Sequence, residues 1–62
     1  SSSSSSTGLC SSTPVWDASS VYNSGDTVQH NGGLYEAKWW TQGQNPADFS
    51  GQWEVWEKTG DC

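Results

Sequence analysis

Two basic side chains among 62 residues, against seven acidic ones, leave a formal net charge of −5. That deficit excludes the positive groove on which nucleic-acid binding depends, because phosphate affinity comes from Lys and Arg displacing counterions. It also excludes an anionic membrane surface, and no apolar run approaches the roughly 20 residues that span a bilayer.

The chain opens on an uninterrupted serine tract, Ser1 to Ser6, extended by Thr7 and Gly8. Such a tract has nothing to bury and reads as a hydrated tether over residues 1–9. It has neither the basic start nor the apolar stretch of a signal peptide. A tether at the head of a module implies a further domain beyond it, so the folded module is predicted over 10–62 as a piece of a larger protein.

Cys10 and Cys62 are the only cysteines and bracket everything that is not tether. Joined, they close a loop of about 50 residues, which the chain-entropy model values at roughly 4 kcal/mol. For one domain this small, with little apolar surface to bury, that is a large share of its stability. The alternative is a pair of free thiols; two cysteines are too few for a structural zinc site. The bridge is the favoured reading, and it implies an oxidising, extracellular setting.

From Leu9 onward no helical periodicity is visible, and Gly or Pro interrupts almost every long window. Val15 and Trp16 start a short extended segment after Pro14, and Asn23-Ser24-Gly25-Asp26 is a turn. Thr27 to His30 is predicted as a strand. Asn31-Gly32 is a hairpin signal, because both residues tolerate positive φ, and Gly33 allows a longer, bulged turn. Leu34 to Trp39 returns as a second strand; Gly43, Asn45 and Pro46 mark a long loop; Trp53 to Lys58 makes the last strand. The fold class is therefore small β, a compact three-stranded antiparallel sheet with long irregular loops.

Side chains alternate along a strand. Tyr35, Ala37 and Trp39 accordingly share one face, predicted to be the core, while Leu34, Glu36, Lys38 and Trp40 share the other. On that pattern Trp40 is exposed and Trp39 buried, unless the strand ends or bulges near Lys38. In the last strand Trp53, Val55 and Glu57 alternate with Glu54, Trp56 and Lys58, and periodicity does not choose the core member.

Five Trp, two Tyr and one Phe are an unusual aromatic load for so short a chain. Trp39 and Trp40, adjacent and followed by the polar turn Thr41-Gln42-Gly43-Gln44-Asn45-Pro46, suit a flat external partner better than a small core. Indole faces stack on sugars, nucleobases and other aromatics; the charge removes nucleobases, and a neutral polysaccharide needs no compensating charge. Gln42, Gln44, Asn45 and Glu36 are candidate hydrogen-bonding groups at the rim of such a platform. The competing structural reading has both rings serving the core.

Chemistry points away from an enzyme. The carboxylates are scattered rather than paired as a glycosidase requires. His30, read as an exposed strand residue, has no second His and no spare Cys with which to form a triad or a metal site. No catalytic residue, metal or cofactor is expected.

The run Tyr22-x-x-Gly25-Asp26-x-Val28-x-x-x-Gly32, then Leu34-Tyr35-Glu36-Ala37-Lys38-Trp39-Trp40-Thr41-Gln42-Gly43-x-x-Pro46, then Trp56 before Gly60, resembles carbohydrate-binding module family 5/12. The resemblance covers essentially Cys10 to Cys62. Its most specific part, Ala37 to Gly43, looks closer to chitinase examples than to cellulase ones, whereas the terminal cysteine pair is similar to that of certain cellulase members. The family resemblance implies a compact three-stranded antiparallel fold and stacking of Trp39 and Trp40 on crystalline polysaccharide. Some cellulase members add a third aromatic from an inserted loop that this sequence lacks; Tyr22 is the residue nearest that place, although it also matches a recurring, structural-looking Tyr. Tyr35 and Trp56 match core-like positions, and Trp53 is a minor candidate on either side.

The implied partners are chitin, favoured, or cellulose, with a covalently linked catalytic domain, for a secreted monomer that contacts neither nucleic acid nor membrane. A different class, a secreted protein-interaction domain using the same aromatic patch, is the runner-up.

Overall fold

The computed structural model describes residues 10–62, an all-β arrangement without helices among them. The proposed 1–9 tether lies outside the described residues. Five strands follow in order: β1 (Val21–Tyr22), β2 (Thr27–His30), β3 (Gly33–Ala37), β4 (Thr41–Gln42) and β5 (Trp56–Asp61). They form a three-stranded antiparallel sheet in the order β2-β3-β5 and a separate antiparallel ribbon of β1 with β4.

The β2–β3 hairpin is tighter than the sequence suggests. His30 pairs with Gly33, so only Asn31 and Gly32 form the loop, at φ 53° and 76°. Both values are left-handed, the twist that joins antiparallel strands in two residues, and Gly carries it without a Cβ penalty. Gly33 belongs to the strand instead of lengthening the turn. The irregularity falls further along, where the β3–β5 register shifts between Leu34 and Tyr35, an extra residue that bends the pairing.

The last strand differs more. It starts at Trp56 and runs to Asp61, not from Trp53 to Lys58. Residues 51–54 are a turn closed by Glu54 N donating to Gly51 O at 3.1 Å, and Trp56 N donates instead to Phe49 O at 2.9 Å. At the far end of β5 the Lys58 ammonium meets Asp61 Oδ1 at 2.8 Å; that hydrogen bond and the aspartate charge raise the lysine pKa above its ordinary value.

Val28, Ala37, Val55 and Trp56 are the buried core, with Trp16, Tyr22, Tyr35 and Phe49 packed against it. Alternation explains Val28 and Ala37. It cannot explain Val55 and Trp56, consecutive residues both buried, because the backbone leaves its loop conformation between them. Trp56, fully buried, satisfies its indole N–H on the Gln44 carbonyl at 2.7 Å, as a buried Trp requires.

The two ends of the module are joined. Cys10 and Cys62 form a disulfide across a sequence separation of 52, with Cα atoms 5.4 Å apart. Around it, Gln29 acts as a latch: its side-chain amide donates to the carbonyls of Cys10 and Thr13. The Gln29 backbone exchanges hydrogen bonds with Pro14 and Trp16 at 2.9 and 3.1 Å, a parallel bridge at Val15. The extended segment predicted at Val15-Trp16 therefore exists as one bridge rather than a strand. Cys62 N donates to Gly32 O at 3.1 Å, which ties the C-terminus to the hairpin turn.

Candidate functional site

Trp39 and Trp40 stand in the short crossing from the sheet to the ribbon. The last strand-type contacts of β3 are Ala37 N to Asp26 O at 2.8 Å and Gly25 N to Ala37 O at 3.0 Å. Lys38 N then donates to Val55 O at 2.8 Å, and the next paired residue is Thr41, opposite Tyr22. Two residues lie between, and both are tryptophans. They are 50% and 57% exposed. The alternation that placed Trp39 in the core fails because β3 ends at Ala37, two residues before it.

The backbone on both sides of the pair is held. Upstream, the Lys38 ammonium donates to Gln52 O at 3.1 Å and lies 3.9 Å from Glu57 Oε1. Downstream, Thr41 is buried and its hydroxyl donates to the Gln44 side-chain oxygen. Gly43 turns the chain at φ 77°, and the Gln44 carbonyl takes the Trp56 indole N–H. A ring pair carried on backbone anchored in this way loses little freedom on binding, which is what preorganisation means energetically.

Tyr22 is half-buried; its ring meets Trp56 edge-on at 5.5 Å and its hydroxyl accepts the Asp17 N–H at 3.1 Å. The ring also packs against the buried core. Gln42 is exposed on β4, its amide 3.5 Å from Ser19 O. Gln44 is half-buried with its amide oxygen already taken by Thr41. Asn45 is spent on its own turn, its side-chain oxygen accepting Ala47 N at 2.7 Å. Glu36 is exposed on β3, opposite Thr27 and Glu57. Trp53, at 82%, is the most exposed large apolar side chain among the described residues.

His30 is not the exposed residue expected. It is half-buried, edge-on to Trp16 at 6.0 Å and to Tyr35 at 6.5 Å. Among the described residues no three His, Cys, Asp or Glu side chains come together as a metal set. Sequence reasoning missed two contributors, the Lys38 clamp and the buried Thr41. Thr41 carries a sequence signal, a β-branched residue directly after the tryptophans, where a strand restarts.

The family model of carbohydrate-binding module family 5/12 matches residues 15–57. Endoglucanase MaCel5A of Microbulbifer sp. (strain ALW1) is 47% identical over 53 residues, 86% of this chain and 10% of that protein. Chitinase A of Pseudoalteromonas piscicida is 52% identical over 44 residues, 71% of this chain and 5% of that protein. Among solved structures, chitinase C from Streptomyces griseus HUT6037 superposes with a TM-score of 0.69 at 46% identity, over 81% of this chain and 18% of that one. The chain therefore spans a tenth or less of the length of these two sequence relatives.

Proposed function

The chain belongs to carbohydrate-binding module family 5/12, and we propose that it binds insoluble crystalline polysaccharide, chitin in first place, through Trp39 and Trp40. Modules of this family are non-catalytic, and this chain is a binding module, not an enzyme. The observation that carries the ligand reading is the pair of half-exposed indoles on a backbone clamped at Lys38 and at Gln44. Pyranose faces present C–H groups, and an indole offers them a broad, electron-rich, apolar surface with only two χ angles to fix. Gln42, Gln44 and Glu36 supply polar contacts to hydroxyl or acetamido groups at the rim. Tyr22, the third aromatic candidate, is paired with Thr41 directly after the tryptophans and is half-buried against the core, so it contributes to the platform with whatever part of its ring the core leaves open.

Chitin is favoured by the form of the Ala37–Gly43 segment and by the relatives named as chitinases. Cellulose is the second ligand, favoured by similarity to endoglucanases and by the terminal disulfide. The relatives carry the matching stretch inside much longer proteins, which supports a tether: a catalytic domain held at its substrate works at raised effective concentration. The disulfide favours an extracellular setting, and net charge of −5 favours a monomer by self-repulsion.

The test is retention on insoluble chitin and, separately, on crystalline cellulose, for the native chain and a Trp39→Ala/Trp40→Ala variant of unchanged circular dichroism. Losing an anchoring aromatic costs about 2 kcal/mol or more, so the variant should bind at least about 30-fold more weakly. A native chain that washes off both polymers would overturn the proposal and favour a protein partner. Retention equal in the variant would move the platform elsewhere.

A further inference from the structure

Among the described residues Trp53 is the large apolar side chain that the fold leaves most exposed, at 82%, and it is not part of the buried core. It sits with Gln52 at the centre of the four-residue turn closed between Gly51 and Glu54. Small or polar residues ordinarily occupy those central positions, and a Trp this exposed buries little apolar surface in the folded chain. The core has its own indole in Trp56, two residues past the turn.

The turn is nonetheless fixed relative to the Trp39–Trp40 pair. Lys38, the residue before the pair, grips it twice: its ammonium takes the Gln52 carbonyl at 3.1 Å, and its backbone N–H takes the Val55 carbonyl at 2.8 Å. A backbone-bonded antiparallel pair has Cα atoms about 5 Å apart. Trp39 is one residue from Lys38 and Trp53 two from Val55, which places their Cα atoms within about 16 Å of each other. Trp53 is therefore a neighbour of the platform on a separate loop, linked to it by a single lysine.

We propose that Trp53 is a second, independent contact to the insoluble polysaccharide, touching a sugar chain that the Trp39–Trp40 pair does not. This rests on the polysaccharide reading above. A crystal face offers neighbouring chains side by side, whereas a soluble oligosaccharide offers one. Once the pair has docked, a ring carried on a turn bonded to Lys38 meets the adjacent chain as an intramolecular event, which multiplies retention without tightening the first contact. Trp53 thus makes the module selective for packed polymer over single chains. A second copy of this chain is the less favoured occupant, because each copy carries a charge of −5.

The experiment compares the 62-residue chain with Trp53→Ala and Trp53→Phe on crystalline chitin by depletion and on soluble chitohexaose by calorimetry. Trp53→Ala should lower partition onto the crystal by about tenfold while leaving oligosaccharide affinity within about twofold, and Trp53→Phe should recover part of the loss. The side chain's exposure keeps the variants folded, and an unchanged melting temperature checks this. Unaltered crystal partition for Trp53→Ala overturns the proposal. So does a parallel loss on the soluble oligosaccharide, which would merge Trp53 into the pair's own site. Failure of the native chain to bind either form overturns the polysaccharide reading itself, and the unmodified protein reports that separately.

Discussion

Trp56 and Trp39 show how differently one residue type is used within eighteen positions of chain. Trp56 is fully buried and hands its N–H to the Gln44 carbonyl; it packs the core and pins the loop after the platform in one side chain. Replacing it tests both roles. Trp56→Ala opens a cavity and should cost about 3–5 kcal/mol, enough to leave a domain of this size largely unfolded. Trp56→Phe keeps most of the ring but orphans the carbonyl, for about 1–3 kcal/mol, and a thermal melt followed by near-ultraviolet circular dichroism separates the two. Trp39 and Trp40 hold no comparable place in the core, so their removal should spare the melt and act on binding alone.

At the scale of elements, the Asn31-Gly32 turn and the platform sit at opposite ends of β3. The turn depends on left-handed backbone at both positions, where a Cβ is costly. Open space surrounds Gly32, so strain rather than collision sets the penalty. Gly32→Ala should cost about 1 kcal/mol and lower the melting temperature by about 5 °C, with retention on chitin unchanged below the transition. The turn itself was legible in Asn31-Gly32, but its length was not, since only the pairing of His30 with Gly33 puts that glycine in the strand. The β1–β4 ribbon was illegible. Strands of two residues have no period to detect, and their pairing is between positions twenty residues apart. The end of β3 was half-legible, since the polar turn permitted an early stop and only the Lys38–Val55 hydrogen bond decided it.

For the whole molecule the closing disulfide is the dominant constraint. Among the described residues four buried hydrophobic side chains form the central core, which is little for a chain that must order its backbone against conformational entropy. Linking residues 52 apart removes roughly 4 kcal/mol of freedom from the unfolded chain. Reduction should therefore lower the melting temperature by about 15 °C or more, measured by calorimetry with and without a thiol reductant. The Gln29 latch and the Cys62–Gly32 hydrogen bond hold both bridged cysteines against the hairpin, so the bridge closes on a site that the sheet already brings together.

Composition, charge and turn chemistry are local or additive properties, and they were readable without coordinates. A net charge of −5 weighs against a phosphate-tracking surface, Asn-Gly turns a hairpin by its own φ preferences, and two cysteines at the ends of a small module point to one bridge. The fate of each tryptophan is not local. Trp53 and Trp56 occupy the same kind of sequence, yet one is 82% exposed and the other fully buried. Burial is settled by where the Gly51–Glu54 turn stops and β5 begins, and that point is set by hydrogen bonds to Phe49 and Lys38, contacts made only once distant segments have packed.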